Sequence, residues 1–259
     1  MTTFVLLFCD RKMNLFVTIG KYFSLMGSVF SKPVNRKIFF RRLKAEIEQI
    51  GFDSVGIVCI VSVFMGAVLT IQMGINFESP IIPRYIIGLS TRDTMILEFS
   101  STIVCLILSG RVGSNIASEI GTMRITEQID ALEIMGVNSA NYLILPKIVA
   151  AFFTFPFLAL LSIMLGIVGG FFIAFTSPDI VTVADYIYGL HYAFVPFYVT
   201  YTVVKIAVFA ILITSISAFF GYYTEGGALE VGKSSTKAVV YSIIAVLLFN
   251  LILTQVMLT

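Results

Sequence analysis

Five long stretches with almost no charged residues decide what this sequence can fold into. Residues 54–77, 148–178 and 238–259 carry no charged side chain, while 94–110 contains only Glu98 and 192–223 only Lys205. A helix of about 20 apolar residues crosses the hydrocarbon core of a bilayer. The mean hydropathy of +0.98 and the charged fraction of 12% are typical of a membrane protein. We therefore predict an all-α integral membrane protein with about five transmembrane helices.

The distribution of lysine and arginine predicts the orientation of these helices. Nine basic residues precede the first stretch, three lie in 111–147 and two in 224–237, whereas 78–93 has two and 179–191 none. Basic residues remain on the cytoplasmic side of a membrane. The N-terminus and residues 111–147 are thus predicted to be cytoplasmic, and the C-terminus to lie outside.

Residues 33–51 read as an amphipathic helix in front of the first span. Its apolar positions recur at helical spacing and its basic residues fill the other face; the apolar positions are Phe39, Phe40, Leu43, Ile47 and Ile50. Such a helix lies in the headgroup plane, and Gly51 is expected to end it. A solvated helix on another subunit is the alternative. We treat 1–259 as one domain, with residues 1–52 as an N-terminal segment and 53–259 as the bundle.

The stretch "GGALEVGKSST" matches the phosphate-binding loop G-x-x-x-x-G-K-[ST] at residues 227–234. That loop needs a preceding β-strand, a nucleotide-binding domain and an acidic partner for Mg²⁺. Here it lies between two predicted spans, so we interpret the match as false and expect a tight turn. Lys233 and Lys237 would then anchor the last span at the headgroups.

Other classes of function find little support in the composition. His191 is the one histidine and the three cysteines have no ligand spacing, so neither a zinc site nor a hydrolytic triad is predicted. A net charge of +2 gives no basis for nucleic-acid binding. We expect a chain that is not itself an enzyme and holds no metal or cofactor.

The segment 111–147 carries two helical patterns. Small residues repeat every four positions at Gly113, Ala117 and Gly121, with a second set at Gly110, Ser114 and Ser118. Small residues let two helices approach closely, either within one subunit or at a dimer seam. Both readings stay open from the sequence.

The second pattern in this segment is a short amphipathic helix. Its apolar stripe consists of Ile125, Ile129, Leu132 and Met135, and its acidic residues are Glu127, Asp130 and Glu133. Gly136 is expected to end the helix. A helix of this kind on the cytoplasmic face could receive mechanical work from a motor subunit, although a plain surface helix shows the same pattern.

Several blocks of the sequence resemble the MlaE-like permeases, membrane subunits of ABC transporters that work with MCE-domain proteins in bacterial lipid trafficking. The most specific is "GRVGSNIASEIGTMRITEQIDALEIMGV", followed by "YLILPKIVA". "VFMGAVLTIQ", "VVKIAVFAI" and "GALEVGKSSTKAVV" are also similar, and Glu98 falls at the characteristic glutamate of the family. Two positions depart from the pattern: Ser100-Ser101 replaces a usual Gly-Pro, and Asn250 replaces a common aspartate.

The resemblance implies a multi-pass permease of the bacterial inner membrane that moves phospholipid. It implies a homodimer, two ATPase subunits that hold ATP and Mg²⁺, and a periplasmic MCE-domain protein, and it allows a small cytoplasmic accessory subunit. Motor coupling would fall to Glu127, Asp130, Leu132, Glu133 and Met135. A sterol or another hydrophobic substrate, an ATP-independent transporter and a structural scaffold are the alternatives.

A candidate substrate pocket follows from the two charges inside spans. Charged residues within a span are expensive and usually face a cavity or a partner. We expect Glu98 and Lys205 to line, or pair across, a headgroup pocket with apolar walls that include Leu69, Phe77 and Phe99. The alternative is that Glu98 lies at the end of its span and Lys205 snorkels to the surface.

Overall fold

The computed structural model describes residues 17–30, 36–79 and 81–258, and these residues are helical except for short connections. Three π-helical turns join successive helices without a break, at Glu48–Phe52, Met95–Ile103 and Ser109–Gly113. The α-helices are α1 (17–30), α2 (Arg36–Ile47), α3 (Asp53–Asn76), α4 (Tyr85–Thr94), α5 (Val104–Leu108), α6 (Ser114–Ile125), α7 (Gln128–Ile134), α8 (Ser139–Thr176), α9 (Val183–His191), α10 (Phe197–Tyr222) and α11 (Ala228–Leu258).

Five helical runs are long and apolar enough to cross a membrane, which confirms the predicted number of spans. They are Arg36–Asn76, Tyr85–Ile125, Ser139–Thr176, Phe197–Tyr222 and Ala228–Leu258, and we call them the first to fifth spans. Most are longer than the uncharged stretches because polar residues continue the helices beyond the hydrocarbon. The second span, for example, has 41 residues against the 17 of the stretch 94–110, in which Glu98 is the one charged residue.

The prediction that a separate helix ends at Gly51 is wrong. The helix α2 continues through the turn Glu48–Phe52 into α3. Gly51 is buried there, and a methyl group on it would lie 3.1 Å from Thr154 Cγ2 of α8. The glycine therefore permits contact with the third span and does not stop the helix. Residues 33–35 of the predicted helix lie outside the described residues.

The first and third spans make the closest helix contact that the glycines reveal. A methyl group on Gly66 would lie 1.8 Å from the carbonyl oxygen of Gly166, and one on Gly169 would lie 2.0 Å from that of Val63. Only glycine permits this approach of two backbones. The buried hydroxyl of Ser62 donates to Ser162 across the same contact at 2.8 Å.

The N-terminal helix α1 packs onto the ends of the third and fourth spans. Leu25 and Val29 are buried, and the Tyr22 and Ser215 hydroxyls lie 2.8 Å apart. Asn138 Nδ2, just before α8, donates to the carbonyl oxygen of Ser28 at 2.8 Å. This element closes the end of the bundle that carries α7.

A helical cap formed by α4 and α9 covers the opposite end of the bundle. Arg92 is buried and donates to the carbonyl oxygens of Leu190 at 2.7 Å and Tyr192 at 2.9 Å. The Tyr186 hydroxyl donates to the carbonyl oxygen of Ile167 at 3.1 Å, and burial raises the pKa of this phenol to about 12. These bonds attach α9 to the second and third spans.

The small residues Gly113, Ala117 and Gly121 of the second span pack against other helices of the same chain. Methyl groups added to Gly113 and Gly121 would approach Ser217 Oγ at 2.9 Å and Val231 Cγ1 at 3.2 Å. The backbone of Ala117 lies against Gly221 of α10. The members of the second set, Gly110, Ser114 and Ser118, differ in their surroundings. Ser114 Oγ lies 2.7 Å from Ser235 Oγ of α11, whereas a methyl group on Gly110 would have no neighbour within 4 Å.

Replacing Gly66 by alanine should destabilise the bundle, because the carbonyl of Gly166 is backbone and cannot rotate away. We expect the free energy of unfolding to fall by about 2 kcal/mol or more, as overpacking does. Gly56→Ala on the same helix is the matched control, since nothing lies within 4 Å of its added methyl group. Denaturant titration in mixed micelles measures both variants, and equal stability of the two would contradict the described contact.

Candidate functional site

The two charged residues inside the second and fourth spans form an ion pair. Lys205 Nζ of α10 lies 3.0 Å from Glu98 Oε1 and also donates to the carbonyl oxygen of Leu97 at 3.2 Å. Lys205 is fully buried, whereas the side chain of Glu98 is 46% exposed. The ammonium also faces the ring of Tyr201, 4.8 Å from its centroid. Lys205 therefore does not snorkel to the surface. Of the two predicted arrangements, lining a pocket or pairing across it, the structure contains the pair.

The second carboxylate oxygen of Glu98 contacts further polar side chains, one of which lies in the fifth span. Thr102 Oγ1 donates to Glu98 Oε2 at 3.0 Å, and Asn250 Nδ2 of α11 lies 3.4 Å from the same oxygen. Thr102 Oγ1 is also 3.1 Å from Asn250 Oδ1. We call Glu98, Thr102, Lys205 and Asn250 the polar cluster. It joins three spans around one half-exposed carboxylate.

A π-helical turn positions Glu98 in the second span. The turn Met95–Ile103 contains the Ser100-Ser101 pair, so the helix continues there with a wider coil. Ser100 Oγ lies 3.1 Å from Ser162 Oγ, and Thr202 Oγ1 donates to the carbonyl oxygen of Ile96 at 2.6 Å. π-Helical turns often mark functional positions in helices, because they redirect side chains and expose carbonyl oxygens.

The three apolar residues expected as pocket walls do not surround the polar cluster together. Phe99 is only 2% exposed and lies inside the main core. Leu69 packs on that same core from α3, whereas Phe77 packs on a separate apolar cluster with Ile87. Phe99 follows Glu98 directly, and successive residues on a helix point to different faces. The assignment of these three residues to the walls of a lipid pocket stays a prediction.

The short helix α7 lies in the connection between the second and third spans, as the sequence predicts. It spans Gln128–Ile134, and Gly136 follows with a φ of 75°, which agrees with its predicted role as the stop. Ile129 is buried and Leu132 packs on the core. Met135, the last residue of the predicted apolar stripe, is 68% exposed, and its neighbour Ile134 is 88% exposed.

Two of the three acidic residues of α7 are tied to the bundle. Asp130 Oδ1 lies 2.6 Å from Arg124 Nη1. Glu133 Oε1 accepts hydrogen bonds from Ser139 at 2.8 Å and Tyr222 at 2.9 Å. Glu127 is exposed at the start of the helix, with a left-handed φ of 59°. The sequence predicts that these three acidic residues share one face of the helix. Among the described residues, Glu127 is the one of the three whose side chain makes no hydrogen bond or ion pair with the bundle.

The apparent phosphate-binding loop lies on a helix. Gly232, Lys233 and Ser234 belong to the first turns of α11, and the preceding element is α10, not a strand. Lys233 Nζ pairs with Glu230 at 2.6 Å, and Ser234 Oγ donates to the carbonyl oxygen of Phe220 at 2.6 Å. Gly226 has a φ of 106° in the expected turn. Both polar side chains of the match thus make contacts within the chain.

Sequence reasoning missed a second buried ion cluster. Lys147 Nζ of α8 lies 2.8 Å from both carboxylate oxygens of Glu46 in α2 and 2.7 Å from Glu119 Oε2 in α6. The side chain of Lys147 is 2% exposed and that of Glu119 35%. Glu46 itself is 7% exposed. The sequence feature that could have indicated this cluster is Lys147, which directly precedes the uncharged stretch of 31 residues, 148–178.

Removing either member of the Glu98–Lys205 pair should have unequal effects on stability. Glu98→Gln leaves a fully buried ammonium without its counter-charge, so we expect a loss of about 2–3 kcal/mol in the free energy of unfolding. Lys205→Met leaves a half-exposed carboxylate that Thr102 still bonds, at a cost of about 1 kcal/mol. Unfolding in mixed micelles measures both, and the double variant should recover part of the Glu98→Gln loss. A larger loss for Lys205→Met would contradict this asymmetry.

Comparison with known proteins agrees with the resemblance. The model of a permease family described as "Permease MlaE" matches residues 43–256. A "Probable ABC transporter permease protein" of Rickettsia bellii is 33% identical over 250 residues, which cover 95% of this chain and 94% of that protein. One of Synechocystis is 32% identical, with 91% and 89% covered.

A plant protein is also similar to this chain. "Protein TRIGALACTOSYLDIACYLGLYCEROL 1, chloroplastic" of Arabidopsis thaliana is 30% identical over 240 residues, covering 89% of this chain and 65% of that protein. The family model covers well over half of the chain, and the described residues include five helical runs long and apolar enough to cross a membrane. This chain therefore belongs to the MlaE permease family and is a multi-pass ABC transporter permease subunit, whose ATP-hydrolysing partners are separate subunits.

Proposed function

We propose that this permease moves phospholipid between the bacterial inner membrane and the periplasm or outer membrane, driven by ATP hydrolysis in its partner subunits. The observation that carries this proposal is the polar cluster: a half-exposed carboxylate held at the surface of an apolar bundle by a fully buried lysine. Such an arrangement suits an amphiphile, because charge is offered where the surrounding surface is apolar. The name of the Arabidopsis relative contains a diacylglycerol lipid, which supports a lipid substrate.

The cluster assigns different roles to its two charges. Glu98 can accept hydrogen bonds from a headgroup, since 46% of its side chain is exposed. Lys205 cannot reach a ligand without a movement of helices, because it is enclosed by α10 and the second span. We assign Lys205 to orienting the carboxylate and Glu98 to contact with the headgroup. Asn250 and Thr102 would then adjust the site from its exposed side.

Motor coupling is proposed at the exposed tip of α7. Ile134, Met135 and Glu127 form a small surface with an apolar centre and an acidic edge. Ile129 fixes the helix to the core, and the Arg124–Asp130 and Glu133–Tyr222 contacts fix it to α6 and α10. A force applied at this tip would therefore reach the second and fourth spans, which carry Glu98 and Lys205.

The assembly and location follow from the family and from the distribution of charge. We propose a homodimer with two ATPase subunits that bind ATP and Mg²⁺, a periplasmic MCE-domain protein and a small cytoplasmic accessory subunit. The N-terminus and α7 would be cytoplasmic and the C-terminus periplasmic, in accordance with the lysine and arginine bias. Transport of a sterol, or transport without a motor, remains the competing assignment that the experiments below test.

Ile134→Glu should release the ATPase subunit from the permease without unfolding it. The side chain is 88% exposed, so the change removes a partner contact and no internal one. We expect co-purification of the ATPase to fall about tenfold or more, as for a central interface residue. The control is Ile81→Glu, because Ile81 is 89% exposed in the connection on the opposite side of the membrane. Unchanged co-purification with Ile134→Glu would exclude the tip of α7 as the docking site.

Glu98→Gln should slow ATP-dependent phospholipid transfer in the reconstituted complex. We expect about a tenfold loss, the value of one charge-assisted hydrogen bond to the headgroup, with ATPase binding unchanged. Glu78→Gln is the control, since Glu78 is an exposed carboxylate in the connection beyond the first span. Transfer of fluorescent phospholipid between vesicles measures the rate.

Two results would contradict the proposed function. A Glu98→Gln complex that transfers phospholipid at the unmodified rate would remove Glu98 from the lipid path. Transfer by the purified chain alone, without ATPase or ATP, would identify a transporter that needs no motor.

A further inference from the structure

A polar cleft separates the first and second spans at the end of the bundle that carries α7. One wall holds Gln49, Asp53 and Ser54 of the first span, and the other holds Arg111, Asn115 and Ser118 of the second. The first span packs mainly on α8, whereas α6 packs on α10 and α11. The two walls therefore diverge here. We call this space the headgroup-level cleft.

The cleft lies at the edge of the hydrocarbon layer. Asp53 directly precedes the uncharged stretch 54–77, and Arg111 directly follows the stretch 94–110. Both charges thus mark the same boundary of two neighbouring spans. Beyond them, the Glu46–Lys147–Glu119 bridge connects α2, α8 and α6, with Glu119 next to Ser118. The bridge holds the walls together on the aqueous side and leaves the cleft adjacent to the membrane.

The two charged residues of the cleft have no partners within the described part of the chain. Neither Arg111 nor Asp53 makes a side-chain hydrogen bond or an ion pair there, and both are exposed. Lys147 at the same end of the bundle differs, since it pairs with both Glu46 and Glu119. A guanidinium and a carboxylate on opposite walls remain available to a ligand.

These charges match the two ends of a zwitterionic headgroup. A guanidinium binds phosphate oxygens through parallel N–H donors, and a carboxylate accepts hydrogen bonds from an ammonium. The amide side chains of Gln49 and Asn115 supply further donors and acceptors around the same space. An anionic phospholipid would leave Asp53 unmatched.

We propose that the headgroup-level cleft binds the zwitterionic headgroup of a phospholipid from the adjacent leaflet, with the phosphate at Arg111 and the ammonium at Asp53. Arg111 is 13 residues beyond Glu98 on the same helical span, which corresponds to about 20 Å along its axis. The cleft is therefore a second lipid site, separate from the polar cluster. It gives the bundle a place to hold a lipid of the leaflet on the α7 side.

Photolabelling of the full chain in nanodiscs tests this site. The nanodiscs contain phosphatidylethanolamine and phosphatidylglycerol, and the probe is phosphatidylethanolamine with a diazirine on the first carbons of one acyl chain and an unaltered headgroup. Labelled positions in residues 110–118 are read by mass spectrometry of peptides. We expect Arg111→Gln and Asp53→Asn each to reduce this labelling about tenfold, the effect of losing one charge-assisted contact.

The controls separate this site from general lipid contact and from the proposed transport site. Arg36→Gln, which removes an exposed basic residue of α2, should leave labelling unchanged, and Arg111→Lys should restore part of it. Glu98→Gln should also leave it unchanged, so that a failure of the proposed transport function is distinguished from a failure of this inference. A phosphatidylglycerol probe should label the same peptides less.

Three outcomes would overturn the inference. Equal labelling of the unmodified chain and of both cleft variants would mean ordinary lipid contact. Competition by millimolar inorganic phosphate alone would assign the cleft to a free anion. Absence of labelling together with disulfide cross-linking of two Asn115→Cys chains would assign it to a second copy of the permease.

Discussion

The cost of placing a charged group in a low-dielectric interior shapes this bundle more than any other interaction. Lys205 and Lys147 are almost completely enclosed, and each finds a carboxylate on a different helix. Arg92 is buried as well and uses Asp93 and two backbone carbonyls. An unpaired charge at any of these positions would be strongly destabilising, so each pairing fixes which helices are neighbours. Apolar packing alone has no such directional requirement.

The helices joined by these pairs differ in how tightly their backbones meet. The first and third spans approach at Gly66, Gly166 and Gly169, where backbone touches backbone. The second span adds polar contacts to its apolar packing around a π-helical turn, through hydroxyls, carbonyls and an ion pair. Polar contacts can exchange partners, whereas interlocked backbones cannot slide without clashes. The second span leads directly to α7 and carries Glu98 and Thr102 of the polar cluster.

Much of the architecture could be predicted from the sequence, because span number and amphipathic periodicity are local properties. The five spans and the glycine that ends α7 needed only hydropathy and turn chemistry. The prediction that a helix ends at Gly51 was wrong because glycine occurs both at helix ends and where two helices approach closely. Which of these applies at Gly51 depends on its contact with Thr154, about a hundred residues along the chain. Leu69, Phe77 and Phe99 were predicted as walls of one pocket and pack on two separate apolar clusters, because an apolar residue in a membrane helix can face lipid, core or ligand equally well.

By itself, the sequence determined that this chain has five helices long and apolar enough to cross a membrane, and to which permease family it belongs. Each of these conclusions follows from residues that are close together in the chain. Only the tertiary structure decided that Glu98 meets Lys205 and Asn250, that Lys147 joins two glutamates, and that Arg111 and Asp53 remain unpaired across a cleft. Ion pairing depends on distances of a few ångströms between separate helices, and those distances are set by packing that no single helix encodes.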